Sequence, residues 1–215
     1  IKSMIHLTPM ENKGTLTRLR EKERQLRQDL IIEAAREVFG KKTYDKVSMA
    51  EIAKAAGIAK SSIYTYFKNQ EVLYAQITYQ DSCIFIEGIK KQIDKTPTDV
   101  VQAAVTYFLD YYIKNKSQWR MITHFALHGN KEMDTVEQLN AVGRQIMDLF
   151  ETILTKAGCK KDARLMSHTL FSCLSGILIS FRNYPGRIEK ERVAHMRLIG
   201  SQVGHIIQSF IDQEM

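Results

Sequence analysis

Residues 49–68 read MAEIAKAAGIAKSSIYTYFK, two short helix-forming runs joined through a glycine. In the first run, Ala53 leaves room for a second helix to cross it closely. Gly57 supplies the left-handed backbone that a tight turn between the two requires. Ile52, Ala56, Ile58 and Ile63 provide the apolar contacts that lock the crossing. These offsets meet the demands of a helix-turn-helix, whose second helix enters the major groove of DNA. The rest of the second run is unusual for a helix: Lys60, Ser61, Ser62, Tyr64, Thr65, Tyr66 and Lys68. A core helix would carry Leu or Ile there, and a solvated one Glu and Lys. Short and polar groups instead hydrogen-bond to bases and phosphates without obstructing approach.

Working outward, Leu30, Ile31, Ala34, Ala35, Val38 and Phe39 fall at steps of one, three and four and draw one apolar stripe on a helix. Residues 1–25 lack such a period and mix charge signs, so they read as a basic arm that becomes helical near Leu26. KKTYDKV is a connector, and Ser48 is placed as an N-cap with Glu51 three residues on to complete a capping box. The second short helix is expected over Lys60 to Phe67. Asn69 caps a longer one that runs to about Ile93. Beyond Lys95 the pattern stays helical. Thr98 opens one helix, SQWRMITHFALHG makes another ended by Gly129, and a third runs from about Thr135 to Ala157 with Gly158 as its stop. Asp162 opens a helix to Arg182 or Asn183, Tyr184-Pro185-Gly186 makes a turn, and a last helix covers roughly Glu189 to Gln213. About nine helices and no convincing strand predict an all-α fold.

The stretch AAREVF…TYDKVSMAEIAKAAGIAKSSIYTYFKNQEVLY, over about residues 28–75, closely resembles the N-terminal domain of the TetR family of bacterial transcriptional regulators. The resemblance implies a homodimer that binds a palindromic operator in double-stranded DNA, usually as a repressor released by a small-molecule effector. Carried over by position, it puts Ser48 on a phosphate from the start of the first short helix. Lys60, Ser61 and Ser62 take the base-facing start of the recognition helix. Tyr64 and Lys68 become phosphate anchors, with Tyr66 beside them. Ala59 departs from the family's usual Ser or Thr at the recognition-helix N-cap, and Thr43 from its usual Gly before an aromatic. The expected organisation is a basic N-terminal arm over 1–25, a helix-turn-helix domain over 26–70, and an effector-binding and dimerisation domain over 71–215.

Charge agrees with a polyanion partner for one end. Residues 1–68 carry 14 Lys/Arg against 8 Asp/Glu, while residues 69–215 carry 17 against 16. Nearly all of the net +7 therefore sits in the first third. Arg18, Arg20, Lys22 and Arg24 either reach an adjacent minor groove or form a solvated charged helix, because Glu21 and Glu23 are interleaved. The opening IKSMIHLTPM is too short and polar for a secretory signal, and no apolar run approaches the roughly 20 residues that span a bilayer. Cys83, Cys159 and Cys173 are odd in number and lack CxxC spacing, so no disulfide framework or zinc knuckle is expected. These features fit a reduced, cytoplasmic protein.

The second domain carries two further signals. Val193, Met196, Gly200, Val203, Ile207 and Phe210 recur at three- and four-residue steps, and Met166, Leu170, Cys173, Ile177 and Phe181 trace a similar line. The expected dimer interface is therefore Leu170, Cys173, Ile177 and Phe181 with Met196, Gly200, Val203, Ile207 and Phe210. Such seams equally suit a subunit's own core. The middle helices are rich in aromatics and methionines, and Tyr111, Trp119, Met121, His124, Phe125, Met147 and Phe150 are candidates for an apolar effector pocket. His124 and His128 stand at i, i+4, but no cysteine or acidic residue completes a metal set, so no metal or cofactor is expected. GxSxG, GxGxxG, Walker and HExxH patterns are missing, which argues against an enzyme. The competing function is an effector-independent structural or nucleoid-associated DNA-binding protein on the same scaffold.

Overall fold

The computed structural model describes residues 10–128 and 136–213, with side chains omitted at 10–13, 125–128, 136, 138 and 139. The described residues form α1 (Met10–Lys41), α2 (Met49–Ala55), α3 (Lys60–Ile63), α4 (Gln70–Lys95), α5 (Val100–Lys114), α6 (Lys116–His128), α7 (Val136–Lys156), α8 (Ala163–Phe181) and α9 (Glu189–Gln213). A single 3-10 turn, Tyr44–Lys46, separates α1 from α2, and no strand occurs among the described residues. The fold is all-α. Two compact units, Ile1–Leu73 and Tyr74–Met215, divide the chain at a point inside α4. The expected helix ends at Gly129 and Thr135 lie outside the described residues.

In the first unit, Ile31, Ala35, Val38 and Phe39 of α1 are buried with Val47, Met49, Ile52, Ala53, Ile63 and Phe67. The start of α1 differs from the sequence reading. The helix begins at Met10, not near Leu26, so no irregular arm separates residues 10–25 from it. No proline and only Gly14 interrupt residues 10–30, and i,i+4 contacts support the helix without a core: Arg27 to Glu23 at 2.8 Å and Gln25 to Asp29 at 3.0 Å. An apolar period reports burial, and this segment is helical while exposed.

The second unit is arranged around α5, which packs against α6, α7, α8 and α9. Val100, Val101, Ala103, Ala104, Val105, Phe108, Leu109 and Tyr112 are all buried, and a helix that is apolar on most sides is stable only when surrounded. Its N-cap is Asp99, whose side chain accepts from the Gln102 amide at 3.2 Å, and not the expected Thr98. An ionised carboxylate near the positive end of the helix dipole is the stronger cap. Gly158 (φ 104°) turns the chain after α7, as expected, and Gly186 (φ 77°) turns it between α8 and α9.

The seam expected to join two subunits is largely the protomer's own core. Leu170, Ile177, Met196, Gly200 and Ile207 are buried within this unit, and Phe181 and Val203 are half-buried against its core. The glycines explain the assignment. A Cβ at Gly200 would stand 2.3 Å from Leu109 Cδ1 and 3.3 Å from Val105 Cγ1, and one at Gly204 would stand 2.8 Å from Gln102 Oε1. Their small size lets α9 lie close against α5. Gln102 Nε2 completes the seam by donating to the Ser201 carbonyl at 2.8 Å. Of the nine expected interface residues only Cys173 and Phe210 are exposed.

The outer faces of α8 and α9 carry a different apolar set: Leu165, Ile179, Leu198, Ile206 and Phe210, with Ile179 62% and Ile206 67% exposed. By length and composition α8 is apolar enough to cross a membrane, although only 28% of it is buried in the protomer. Its interleaved serines, threonine and glycine hide this from a search for unbroken apolar runs. Gly200→Val should destabilise the protein by at least about 1–3 kcal/mol in urea unfolding, because the new methyls overlap Leu109. A Gly200 facing only a second subunit would leave protomer stability unchanged.

Candidate nucleic-acid interface

The turn between α2 and α3 is built from a few backbone bonds. Ser48, extended at φ −125°, accepts from the Glu51 amide through Oγ at 3.2 Å and starts α2. The Glu51 carboxylate takes Lys42 Nζ at 2.6 Å, which ties the end of α1 to α2. At the other end the Gly57 amide donates to the Lys54 carbonyl at 3.2 Å, and the Ile58 amide to the Ala53 carbonyl at 3.0 Å. Those two bonds are a Schellman motif, which needs a left-handed residue at its centre, and Gly57 has φ 68°. Ala59 then precedes α3 in an extended conformation, with no side-chain cap.

The recognition segment is shorter as a helix than its sequence suggests. α3 ends at Ile63, where Lys60 to Phe67 was expected. Beyond it the Thr65 amide donates to Ser62 at 3.1 Å and the Tyr66 amide to Ile63 at 3.0 Å, bonds that tighten the chain to three-residue turns. Serine, threonine and tyrosine are indifferent helix formers, and no longer run sustains them here. Ile63 (0% exposed) and Phe67 (4%) face inward and pin the segment. Ser48, Lys60, Ser61, Tyr64, Thr65 and Lys68 are exposed, and Ser62 and Tyr66 are half-buried. None of the eight sequence-expected residues is buried, while the isoleucine and phenylalanine between them are.

Two features escaped the sequence reading. Arg27 pairs with Glu23 at 2.8 Å, and Glu23 first, then the Tyr66 side chain, raise its pKa above the ordinary arginine value. Only the helical phase of α1 beside the turn reveals that pairing. Tyr44 stacks on Phe39 with ring planes 7° apart, and its carbonyl accepts from Gln70 Nε2 at 2.9 Å. Thr43 is extended at φ −72°, so the connector leaves α1 without the left-handed residue that glycine would supply. At the start of α4, Asn69 Oδ1 accepts from the Val72 amide at 2.8 Å.

In the second unit the expected effector-pocket residues are mostly packing groups. Trp119 and Phe150 are buried in the core, each 6.1 Å from the Phe108 ring. Met121 is buried, and Tyr111 and Met147 are half-buried. His124 meets Tyr74 edge-on at 5.7 Å. The side chains of Phe125 and His128 lie outside those described. A cleft of about 500 Å³ lies elsewhere, between α4 and α7. Ile86, Ile93, Leu149 and Ile153 line it with Lys90, Lys156, Asp94 and Asp148, and none of the seven expected residues does. Its signal in the sequence was the pairing of lysines with isoleucines on α4, not the aromatics of the middle helices.

Fold and turn together define an all-α protein with a helix-turn-helix unit for binding DNA. The family model for bacterial regulatory proteins of the tetR family matches residues 31–77, so the helix-turn-helix unit is of that family's type. It is 25% identical over 127 residues to the fatty acid metabolism regulator protein of Bacillus subtilis, covering 59% of this chain and 65% of that one. An HTH-type transcriptional regulator of Staphylococcus aureus is 32% identical over 89 residues, covering 40% and 48%. The matches thus span about half to two-thirds of these relatives' length. Among solved structures, the fatty acid degradation regulator FadR of Bacillus halodurans shares the fold with a TM-score of 0.68 at 20% identity, over 83% of this chain and 94% of that one. The transcriptional regulator FadR of Bacillus subtilis, in complex with stearoyl-CoA, does so at 0.67 and 20%, over 81% and 96%.

A Cβ at Gly57 would meet nothing within 4 Å, so replacing the glycine tests the backbone alone. Gly57→Ala should cost about 1–2 kcal/mol of unfolding free energy, measured with urea, and lower DNA affinity at temperatures where the unit begins to open.

Proposed function

We propose that this protein is a repressor of the bacterial cytoplasm that binds a palindromic operator as a homodimer and is released by an amphipathic fatty-acyl effector. The observation that carries the reading is the exposed polar face of residues 60–68, held on Ile63 and Phe67. Lys60, Ser61 and Ser62 are assigned to base edges and nearby phosphates, and Ser48, Tyr64, Thr65, Tyr66 and Lys68 to the backbone on either side. DNA binding belongs to the chain up to about residue 70, and effector binding and dimerisation to the remainder.

Dimerisation is assigned to the outer faces of α8 and α9. Leu165, Ile179, Leu198, Ile206 and Phe210 leave apolar side chains in water, and a second copy removes them from it. The two-fold axis of such a dimer places two recognition segments about 34–36 Å apart or somewhat more, the repeat of successive major grooves.

The effector class rests on the cleft between α4 and α7. Its isoleucines and leucine suit an alkyl chain, and Lys90 and Lys156 suit an anionic head. Regulators of fatty acid metabolism are among the relatives, and one protein of the same fold holds stearoyl-CoA. α4 runs from Gln70 to Lys95 and supplies one wall of the cleft, so a ligand there biases the position of a helix that starts beside the helix-turn-helix. Release requires that the ligand bind more tightly to the state with lower DNA affinity.

With about four ionic phosphate contacts per protomer, the log–log salt dependence of operator binding should have a slope no shallower than about −7. Long-chain acyl-CoA should weaken that binding in fluorescence anisotropy while coenzyme A alone does not; equal affinity with and without every acyl-CoA tested rejects the effector class. Ile179→Lys with Ile206→Lys should convert a dimer to a monomer in sedimentation equilibrium. A monomeric wild-type protein at micromolar concentration rejects the interface.

A further inference from the structure

One row of α1 changes chemistry along its length. Val38, Ala35 and Ile31 are buried in the first unit, at steps of three and four. Continued upstream by four, three and four residues, the row is Arg27, Arg24 and Arg20, all exposed. At about 100° per residue these three arginines lie within about 60° of one another around the helix. The row therefore continues, turn by turn, the face on which α1 packs against the helix-turn-helix core. Arg20 and Arg24 have no ion-pair partner among the described residues. The three span about 10 Å of helix axis, a length over which one DNA strand presents about three phosphates.

We propose that the exposed half of α1 is a second DNA-contacting element, in which Arg20, Arg24 and Arg27 grip the phosphate backbone beside the segment read by α3. The proposal rests on operator binding by the helix-turn-helix and extends its footprint. Arg18 and Lys22 do not share the contact, because they lie about 150–170° around the helix from the row. The exposed leucines Leu19 and Leu30 lie about a quarter-turn from it, and Leu16 falls just beyond its upstream end, near the edge of the row. Glu23 pairs with Arg27 at 2.8 Å at the margin of the row and sets that side chain's direction.

The test uses the full chain and a duplex that the wild-type protein selects from a randomised pool. Arg20→Gln with Arg24→Gln removes two contacts per protomer and four per dimer, so the salt slope should become shallower by about 3–4 from a wild-type value near −13. Hydroxyl-radical protection should shrink at positions flanking each half-site. Arg18→Gln with Lys22→Gln makes the same charge change on the other face and should shift the slope by less than about 1. Equal shifts for the two pairs would mean a general field and not a contact, and would overturn the proposal; no shift for either also overturns it. Circular dichroism checks that both variants stay helical. If the wild-type protein selects no duplex, the function proposed above fails as well. A selected duplex with an unmoved slope defeats this inference alone.

Discussion

The positive φ at Gly57 is the constraint on which the DNA-facing surface depends. A seven-residue helix is too short to hold its own direction in water, and α3, with four residues, is shorter still. What fixes them is the pair of bonds closing the Schellman turn, together with the burial of Ile52 and Ile63 on opposite sides of it. Once that angle is set, the residues one or two positions beyond Ile63, and the one two positions before it, cannot also face inward. Ser61, Tyr64 and Thr65 are therefore exposed for geometric reasons, whatever their chemistry. Their chemistry then decides what they meet. Hydroxyls and lysines at such positions suit an anionic, hydrogen-bonding partner better than water alone.

A different economy governs the second unit. α5 is surrounded, so each neighbouring helix can bury one face on it and must dispose of the other. α9 does so on Gly200 and Gly204, which remove side-chain bulk where it meets Val105, Leu109 and Gln102. The consequence is that its inner row is consumed within the protomer, while Leu198, Ile206 and Phe210 are left outside. Small residues at helical spacing report close approach between helices, and they do so equally for a neighbour in the same chain and for one in another copy.

That ambiguity marks what could be read from the sequence and what could not. The turn was legible because each of its requirements falls on a residue with little alternative use: a glycine at a left-handed position, a serine three residues before the amide it caps, isoleucines at fixed offsets. The all-α class followed from period alone. The row expected at a dimer seam falls mostly in the protomer's own core, because periodicity identifies a buried row without naming what buries it. Several of the expected effector residues are packing groups for a related reason. Aromatic rings such as Trp119 and Phe150 fill a core as well as they line a cavity, whereas the cleft between α4 and α7 depends on a helix spacing that no single segment encodes. The length of α1 was underestimated because a helix held by i,i+4 polar pairs has no apolar period to detect.

The exposed half of α1 also shows how electrostatics and geometry divide the work along one helix. Surface ion pairs contribute little to folding, so Glu23 and Arg27 do not justify roughly four extra turns of helix on stability grounds. Arginines spread on all sides would suit solubility, and Arg18 and Lys22 do point elsewhere. Arg20 and Arg24, however, stay in register with Arg27 and with the buried row of Ile31 and Ala35. A helix keeps such a register only as far as it remains continuous. Helical structure upstream of Leu26 is thus what converts a loose surplus of positive charge into a directed line of it, in register with the row that packs on the helix-turn-helix core.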